Sequence, residues 1–308
     1  MNTAILTTMA TTSLRIAVAI NPEASFGKRR DVGPRVTEAL RSAGHDVVSL
    51  TEANIELLRR ETQAAFERGV DLLVVVGGDG MVSLGTNVVA GTGVPMAVVA
   101  CGTGNDLALG LGIPAEDTET SVAFLLESLS RPPRAIDAAR VRQGGQHTWY
   151  AGALSAGFDA IVNERANRMT FPRGRSRYTW AILRELATLS PIDYRITVDG
   201  VERRVRALLV SVANNVSIGG GMRIAPTALI DDGFLDLFIV TPMSRLAFLR
   251  VFPKVFSGTH IQLKQVELSR CRSVRIEAEG IVAYADGERI GTLPVEIDVV
   301  PGALLVRV

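Results

Sequence analysis

Five consecutive apolar residues, Leu72-Leu73-Val74-Val75-Val76, run straight into Gly77-Gly78-Asp79-Gly80. A run of that length without polar alternation suits a strand buried on both faces, hence a parallel sheet covered by helices. Glycines at its end remove Cβ atoms where the chain turns into a helix, so bare amides gather at the helix start. Such a site attracts anions through hydrogen bonds and through the helix dipole. In an open parallel sheet the turn also falls at the carboxyl end of a strand, where ligands bind.

A second turn of the same kind follows the next apolar run: Val98-Val99-Ala100 leads into Cys101-Gly102-Thr103-Gly104-Asn105-Asp106. One glycine pair alone reads more readily as a tight strand-to-helix connection than as a binding loop. Two of them bracketing a single strand–helix unit favour the other reading, a shared nucleotide cleft. The first loop is not a Walker A sequence, because no Gly-Lys-Ser/Thr follows. The second is not a dinucleotide GxGxxG, because Gly104 continues into Asn105-Asp106-Leu107.

Around these loops the first 130 or so residues alternate short apolar runs (15–20, 47–50, 72–76, 95–100) with amphipathic stretches at 29–43 and 52–68. That alternation predicts a doubly wound α/β domain. After Arg131-Pro132-Pro133-Arg134 the period shortens to two. Segments at 194–198, 207–212, 235–240, 266–268, 274–278 and 303–308 are separated by turns at Asp199-Gly200, Asp232-Gly233 and Asp286-Gly287. This is an antiparallel pattern, with helices expected near 160–169, 178–189 and 244–256. The expected organisation is α/β plus β: an α/β nucleotide-binding domain at 1–138, then a mainly antiparallel β-sandwich with a few helices at 139–308.

Composition narrows the function classes. A formal net charge of +1 argues against a dedicated nucleic-acid binder. Two distant cysteines, Cys101 and Cys271, form neither a disulfide framework nor a zinc spacing, which points to a reducing compartment. No apolar run reaches the 18 or so residues of a spanning helix, and the first residues lack the basic start of a signal peptide. A cytoplasmic protein is expected. The histidines His45, His147 and His260 are scattered and suggest no catalytic constellation.

The GGDG loop, the GTGND segment with its trailing Leu107–Pro114, and the late Asp286-Gly287-Glu288 together resemble the diacylglycerol kinase catalytic family. That family includes bacterial soluble diacylglycerol kinases, related lipid kinases and sphingosine kinases. The likeness begins at Asn21-Pro22 with Gly27-Lys28. It continues through Asn214-Asn215, Gly219-Gly220-Gly221, Ala225-Pro226 and Asp231-Asp232-Gly233. Two departures stand out: Met81, where many relatives have Thr, and Ser83-Leu84, where they have Asn-Glu. Many relatives also carry a C-terminal segment that returns to the first domain, whereas this sequence stops at Val308.

The resemblance implies an ATP- and Mg²⁺-dependent kinase acting on a lipid hydroxyl, with diacylglycerol converted to phosphatidic acid. Nucleotide contacts fall on Asn21, Lys28, Thr51, Gly77, Gly78, Asp79, Gly80, Met81, Gly102, Thr103 and Gly104. Asp79 is expected to organise magnesium through water, since a bare carboxylate beside ATP repels it unless a cation lies between. The resemblance adds Asp106 and Asp137 to the same water network. It makes Glu288 the general base, with Asp286 beside it, although Asp-Gly by itself reads equally well as a hairpin turn. It places a second, structural cation at Asp232 and the carbonyls of Leu229 and Phe234.

The substrate implies transient contact with a membrane. Arg165, Arg168, Arg173, Arg175, Arg177 and Arg184, with Phe171, Tyr178 and Trp180, suggest one docking stretch; a solvated charged face is the plain alternative. A homodimer is left open. Two other functions share some of these features: a soluble-metabolite kinase of the NAD kinase type, and a catalytically dead nucleotide- or lipid-binding regulator.

Overall fold

The computed structural model of the chain describes residues 13–21, 30–52, 54–158, 160, 162, 184 and 190–308. Pro22, Gly27 and Lys28 lie outside them. So do most of the stretches where helices were expected at 160–169 and 178–189.

The first domain opens with β1 (Arg15–Ile20), α1 (Val32–Ser42), β2 (Asp46–Thr51), α2 (Ile55–Glu67), β3 (Leu72–Gly77), α3 (Asp79–Val89) and β4 (Met96–Ala100). Two short helices, α4 (Asp106–Gly110) and α5 (Thr118–Ser128), follow. Strands β1, β2, β3 and β4 pair in parallel in the order β2-β1-β3-β4. Every residue of β3 and β4 is buried, which is why their sequence lacks polar alternation. The helices start where capping chemistry allows. Asn54 accepts from the Leu57 amide at 2.9 Å before α2, and Asp117 accepts from Thr120 at 2.8 Å before α5.

The second half supplies β5 (Arg134–Gln143), β6 (Gln146–Tyr150), β7 (Ala153–Gly157), β8 (Ile192–Val198), β9 (Val201–Ala207), β10 (Leu209–Ala213) and β11 (Leu235–Val240). After α6 (Arg245–Val251) and α7 (Lys254–Ser257) come β12 (Val266–Cys271), β13 (Ser273–Glu277), β14 (Val282–Ala285), β15 (Glu288–Thr292) and β16 (Val295–Val306). The helix expected across 244–256 is thus two pieces, interrupted at Phe252-Pro253, as the missing proline amide demands. A six-stranded antiparallel sheet runs β12-β11-β10-β7-β14-β15. It packs on the β5, β8, β13 and β16 region of the other sheet through Tyr150, Leu154, Tyr194, Leu237, Ile276 and Ile297.

The two halves share strands. In β5, Arg134–Ile136 pair with Leu304–Val306 beside the parallel sheet, while Ala138–Arg142 pair with Glu296–Val300 in the sandwich. The division expected at 138–139 falls inside this strand. Val306 then pairs in parallel with Met96 of β4, so the last strand itself returns to the first domain. Leu304 and Val306 are buried there, and this burial of alternate apolar residues drives the return.

Candidate active site

The carboxyl ends of the parallel strands lie level. Ile20 pairs with Thr51 and Val76, and Gly77 pairs with Ala100. Asn21, whose amide donates to the Val76 carbonyl at 3.1 Å, thereby shares an edge with Thr51 and both glycine loops. The loops touch backbone to backbone: a Cβ on Gly78 would sit 2.9 Å from the Gly102 Cα. Asn105 holds the second loop's shape. It adopts φ 59°, accepts from the Gly102 amide at 3.0 Å and donates to the Gly102 carbonyl at 3.2 Å. Gly80 differs from its neighbours, for nothing lies within 4 Å of the place its Cβ would occupy. The space that this glycine keeps clear is open, as an approaching phosphate requires.

Met81 departs from expectation. Its side chain is 1% exposed, packed under Gly77 in the core, and its amide is committed to the Gly78 carbonyl at 2.9 Å. It braces the loop from beneath and offers a ligand nothing.

Asp79 ties the loops together. One carboxylate oxygen accepts from the Asp106 amide at 2.7 Å and the other from the Asn105 amide at 2.9 Å. Burial, reinforced by the Asp106 charge, raises its pKa against those amides. Asp106 in turn reaches the second domain, accepting from the Gly220 and Gly221 amides at 2.8 Å each. Asn215 donates to the Asp106 carbonyl at 3.0 Å. The Gly219-Gly220-Gly221 motif thus earns its glycines as a clamp on the nucleotide side. Among the described residues no three His, Cys, Asp or Glu groups converge to hold a metal ion unaided. A magnesium ion arriving on triphosphate is a different case, since such ions keep their waters and need only one or two carboxylates. Asp79, half-buried and repelled by Asp106, is acidic chemistry that fits it.

Two expected metal residues are engaged otherwise. Asp137 is 2% exposed, and its oxygens accept from the Gly233 amide at 2.6 Å and the Gly302 amide at 2.9 Å. It fastens the Asp-Asp-Gly turn to the irregular point of β16 and presents no face to a hydrated ion. Asp232 accepts from the Phe234 amide at 3.1 Å and pairs with Arg270, whose guanidinium lies 4.1 Å over the Phe234 ring. Arg272 stands 4.7 Å from the same ring. A hard cation between Asp232 and the carbonyls of Leu229 and Phe234 would meet these guanidinium charges. The residues do not fit a second ion, and Arg270 already neutralises the carboxylate.

On the sandwich side, β14 and β15 are joined by Asp286-Gly287, with φ values of 47° and 83°, the left-handed pair of a tight hairpin. The Asp286 carboxylate accepts from the amides of Ala151 at 3.0 Å, Gly152 at 3.1 Å and Ala153 at 3.0 Å. The turn is pinned to the start of β7. Burial pushes the Asp286 carboxyl up to about 6 against these three donors, and the Asp79 charge adds to the rise. The folded protein therefore holds this proton more tightly than the unfolded chain. Stability conferred by Asp286 is greatest below the ordinary carboxylate range and falls as pH rises from about 4 to about 6. Urea midpoints measured across that window should fall with pH by more in the native protein than in Asp286→Asn.

Glu288 is the accessible acid. Its side chain is 43% exposed and faces Arg59 of α2 at 4.0 Å, so the first and second domains meet over it. Arg59, whose Nε is buried without a hydrogen-bond partner, escapes sequence reading because an arginine in an amphipathic helix looks like any solvated cation. Arg184 is exposed; the rest of the arginine and aromatic stretch at 165–180 lies outside the described residues.

A parallel sheet with two glycine loops at its edge, closed over by a sandwich that presents a carboxylate, is the frame of a phosphotransferase. Comparison with known proteins agrees. Residues 15–141 match the diacylglycerol kinase catalytic domain, and residues 152–308 match the YegS C-terminal NAD kinase beta sandwich-like domain. A diacylglycerol kinase of Mycobacterium tuberculosis is 36% identical over 294 residues, covering 95% of this chain and 94% of that protein. A diacylglycerol kinase of Bacillus subtilis is 28% identical over 244 residues, 76% and 78% of the two chains. In fold, a crystal structure of a diacylglycerol kinase from Bacillus anthracis superposes with a TM-score of 0.70 at 22% identity, covering 96% of this chain and 97% of that one. The chain belongs to the diacylglycerol kinase family of lipid kinases.

Proposed function

We propose that this protein transfers the γ-phosphoryl group of ATP to the hydroxyl of diacylglycerol, producing phosphatidic acid. The observation that carries the reading is the half-exposed Glu288 carboxylate at the domain junction, on a turn fixed by three amide bonds to Asp286. Phosphoryl transfer asks a protein mainly for positioning and charge neutralisation. Gly78, Gly80, Gly102, Thr103 and Gly104 bind the phosphates through backbone, with Asn21 and Thr51 on the nucleotide side. Asp79 is the residue that would hold magnesium, which when bound would supply charge neutralisation on the phosphates. Glu288 takes the proton of the attacking hydroxyl. Asp286 positions that turn, because its own acceptors are already filled.

The sandwich shares its type with NAD kinases, so the acceptor is what needs testing. Purified protein is given labelled ATP and magnesium with diacylglycerol in mixed micelles, sphingosine or NAD. Label in phosphatidic acid, absent when magnesium is chelated, is expected. Label in NADP or in a sphingosine phosphate alone would sink the proposal.

A further inference from the structure

We infer that the corner formed by α6 and α7, Ser244–Phe256, docks on the surface of an anionic lipid bilayer. The partner class rests on the lipid-kinase reading above; the surface itself rests on three features of this chain.

The first is charge. From Leu237 to Val266 the sequence contains no acidic residue, yet it carries Arg245, Arg250, Lys254 and Lys264, all exposed. Among the described residues none of the four is in an ion pair, and the acid that ends the run, Glu267, is engaged by Arg203 at 2.9 Å. In a chain of net charge +1, a stretch this one-sided is a local field without internal compensation. Anionic headgroups supply the missing charge.

The second is exposed apolar surface among those cations. Leu246 is 57% exposed, Leu249 44% and Phe256 50%. These three fall within eleven positions on two adjoining short helices, interleaved with Arg250 and Lys254. Neither helix has a fully buried residue; Phe248 and Val255 pack partly against the core beneath, whereas Leu246, Leu249 and Phe256 face outward.

The third is what lies behind it. Phe256, Phe252, Phe248 and Phe158 form a ladder of rings at successive centroid distances of 6.1, 6.2 and 5.0 Å. It leads from the exposed Phe256 to the buried Phe158, along a narrow cavity lined by Leu209, Phe238, Phe248, Phe252 and Val255. Apolar contact is therefore continuous from solvent to interior. An interface of anionic headgroups over acyl chains matches both layers, cations outside and apolar rings beneath.

The test uses the full chain and two triple variants: Arg245→Ser with Arg250→Ser and Lys254→Ser, and Leu246→Ser with Leu249→Ser and Phe256→Ser. All six side chains are exposed, so both variants should melt with the native protein. Vesicles of phosphatidylcholine with phosphatidylglycerol should sediment the native protein; vesicles of phosphatidylcholine alone should sediment much less. Loss of three cations should lower partitioning to the mixed vesicles on the order of 100-fold, and loss of the apolar trio by roughly 10-fold or more. Turnover of a short-chain acceptor dispersed in water should stay native in both. Unchanged vesicle partitioning in the two variants overturns the inference. So does a native dimer that the apolar variant dissolves, which would assign the corner to a second copy of the chain. Vesicle binding with no turnover of any lipid would instead sink the kinase reading and leave the docking surface standing.

Discussion

Replacing Glu288 by Gln should lower turnover of the lipid acceptor by about 10²–10⁴, the usual contribution of a positioned general base. Affinity for the nucleotide and the melting temperature should both remain native. The separation follows from position. Glu288 is half-exposed at the junction and has only a 4.0 Å ion pair with Arg59 to lose, so removing its charge costs the fold little. Asp286, two residues earlier, behaves oppositely. Three amides depend on its carboxylate, and an Ala there leaves them without a partner at about 1–3 kcal/mol each where buried. Single-turnover kinetics, isothermal titration with a non-hydrolysable nucleotide, and thermal melts separate the two residues. Native kcat in Glu288→Gln would remove the base from this carboxylate and with it the main support for the proposed mechanism.

Two glycines at the same loops should respond in opposite ways to alanine. At Gly102 the new methyl would strike the Gly78 backbone, closer than the 2.9 Å that separates a Gly78 Cβ from the Gly102 Cα. Neither side of that contact is a flexible side chain, so the loops must part. A loss of about 1–3 kcal/mol in stability is expected, along with loss of nucleotide binding, since the two cradles no longer share a register. At Gly80 the methyl meets nothing within 4 Å and lies in the first turn of α3. Gly80→Ala should therefore hold or gain stability, by about 0.5–1 kcal/mol from helix preference. Its KM for ATP should nonetheless rise on the order of 10–100-fold, because the methyl fills the space that the phosphate needs. Chemical denaturation and initial-rate kinetics on the same preparations read both quantities. A Gly80→Ala protein with native KM would move the phosphate elsewhere.

The alternation of strand and helix, the buried character of β3 and β4, the Asp-Gly hairpins and the glycine loops were all legible from local pattern. Each is specified by a few neighbouring residues: apolar runs, turn dipeptides and missing side chains. The Met81 contact was implied by the resemblance; the fold turns its side chain into the core, since adjacency to a loop says nothing about which way a side chain points. The metal roles of Asp137 and Asp232 were likewise implied by the resemblance, and a carboxylate in a turn looks identical in sequence whether an ion, an amide or a guanidinium satisfies it. Only the folded chain shows Gly233 and Gly302 at Asp137 and Arg270 at Asp232.

The sequence by itself determined the fold class, both glycine loops and the Asp286-Gly287-Glu288 turn, since these depend on residues close along the chain. The tertiary structure decided which acids are spent on backbone, that Arg59 faces Glu288 across 229 positions, and that β16 closes the first sheet beside Met96. Contacts so distant in sequence leave no periodic trace, because nothing local changes when a carboxylate finds its partner. They arise from packing two sheets through shared strands, and that packing sets the geometry on which catalysis depends.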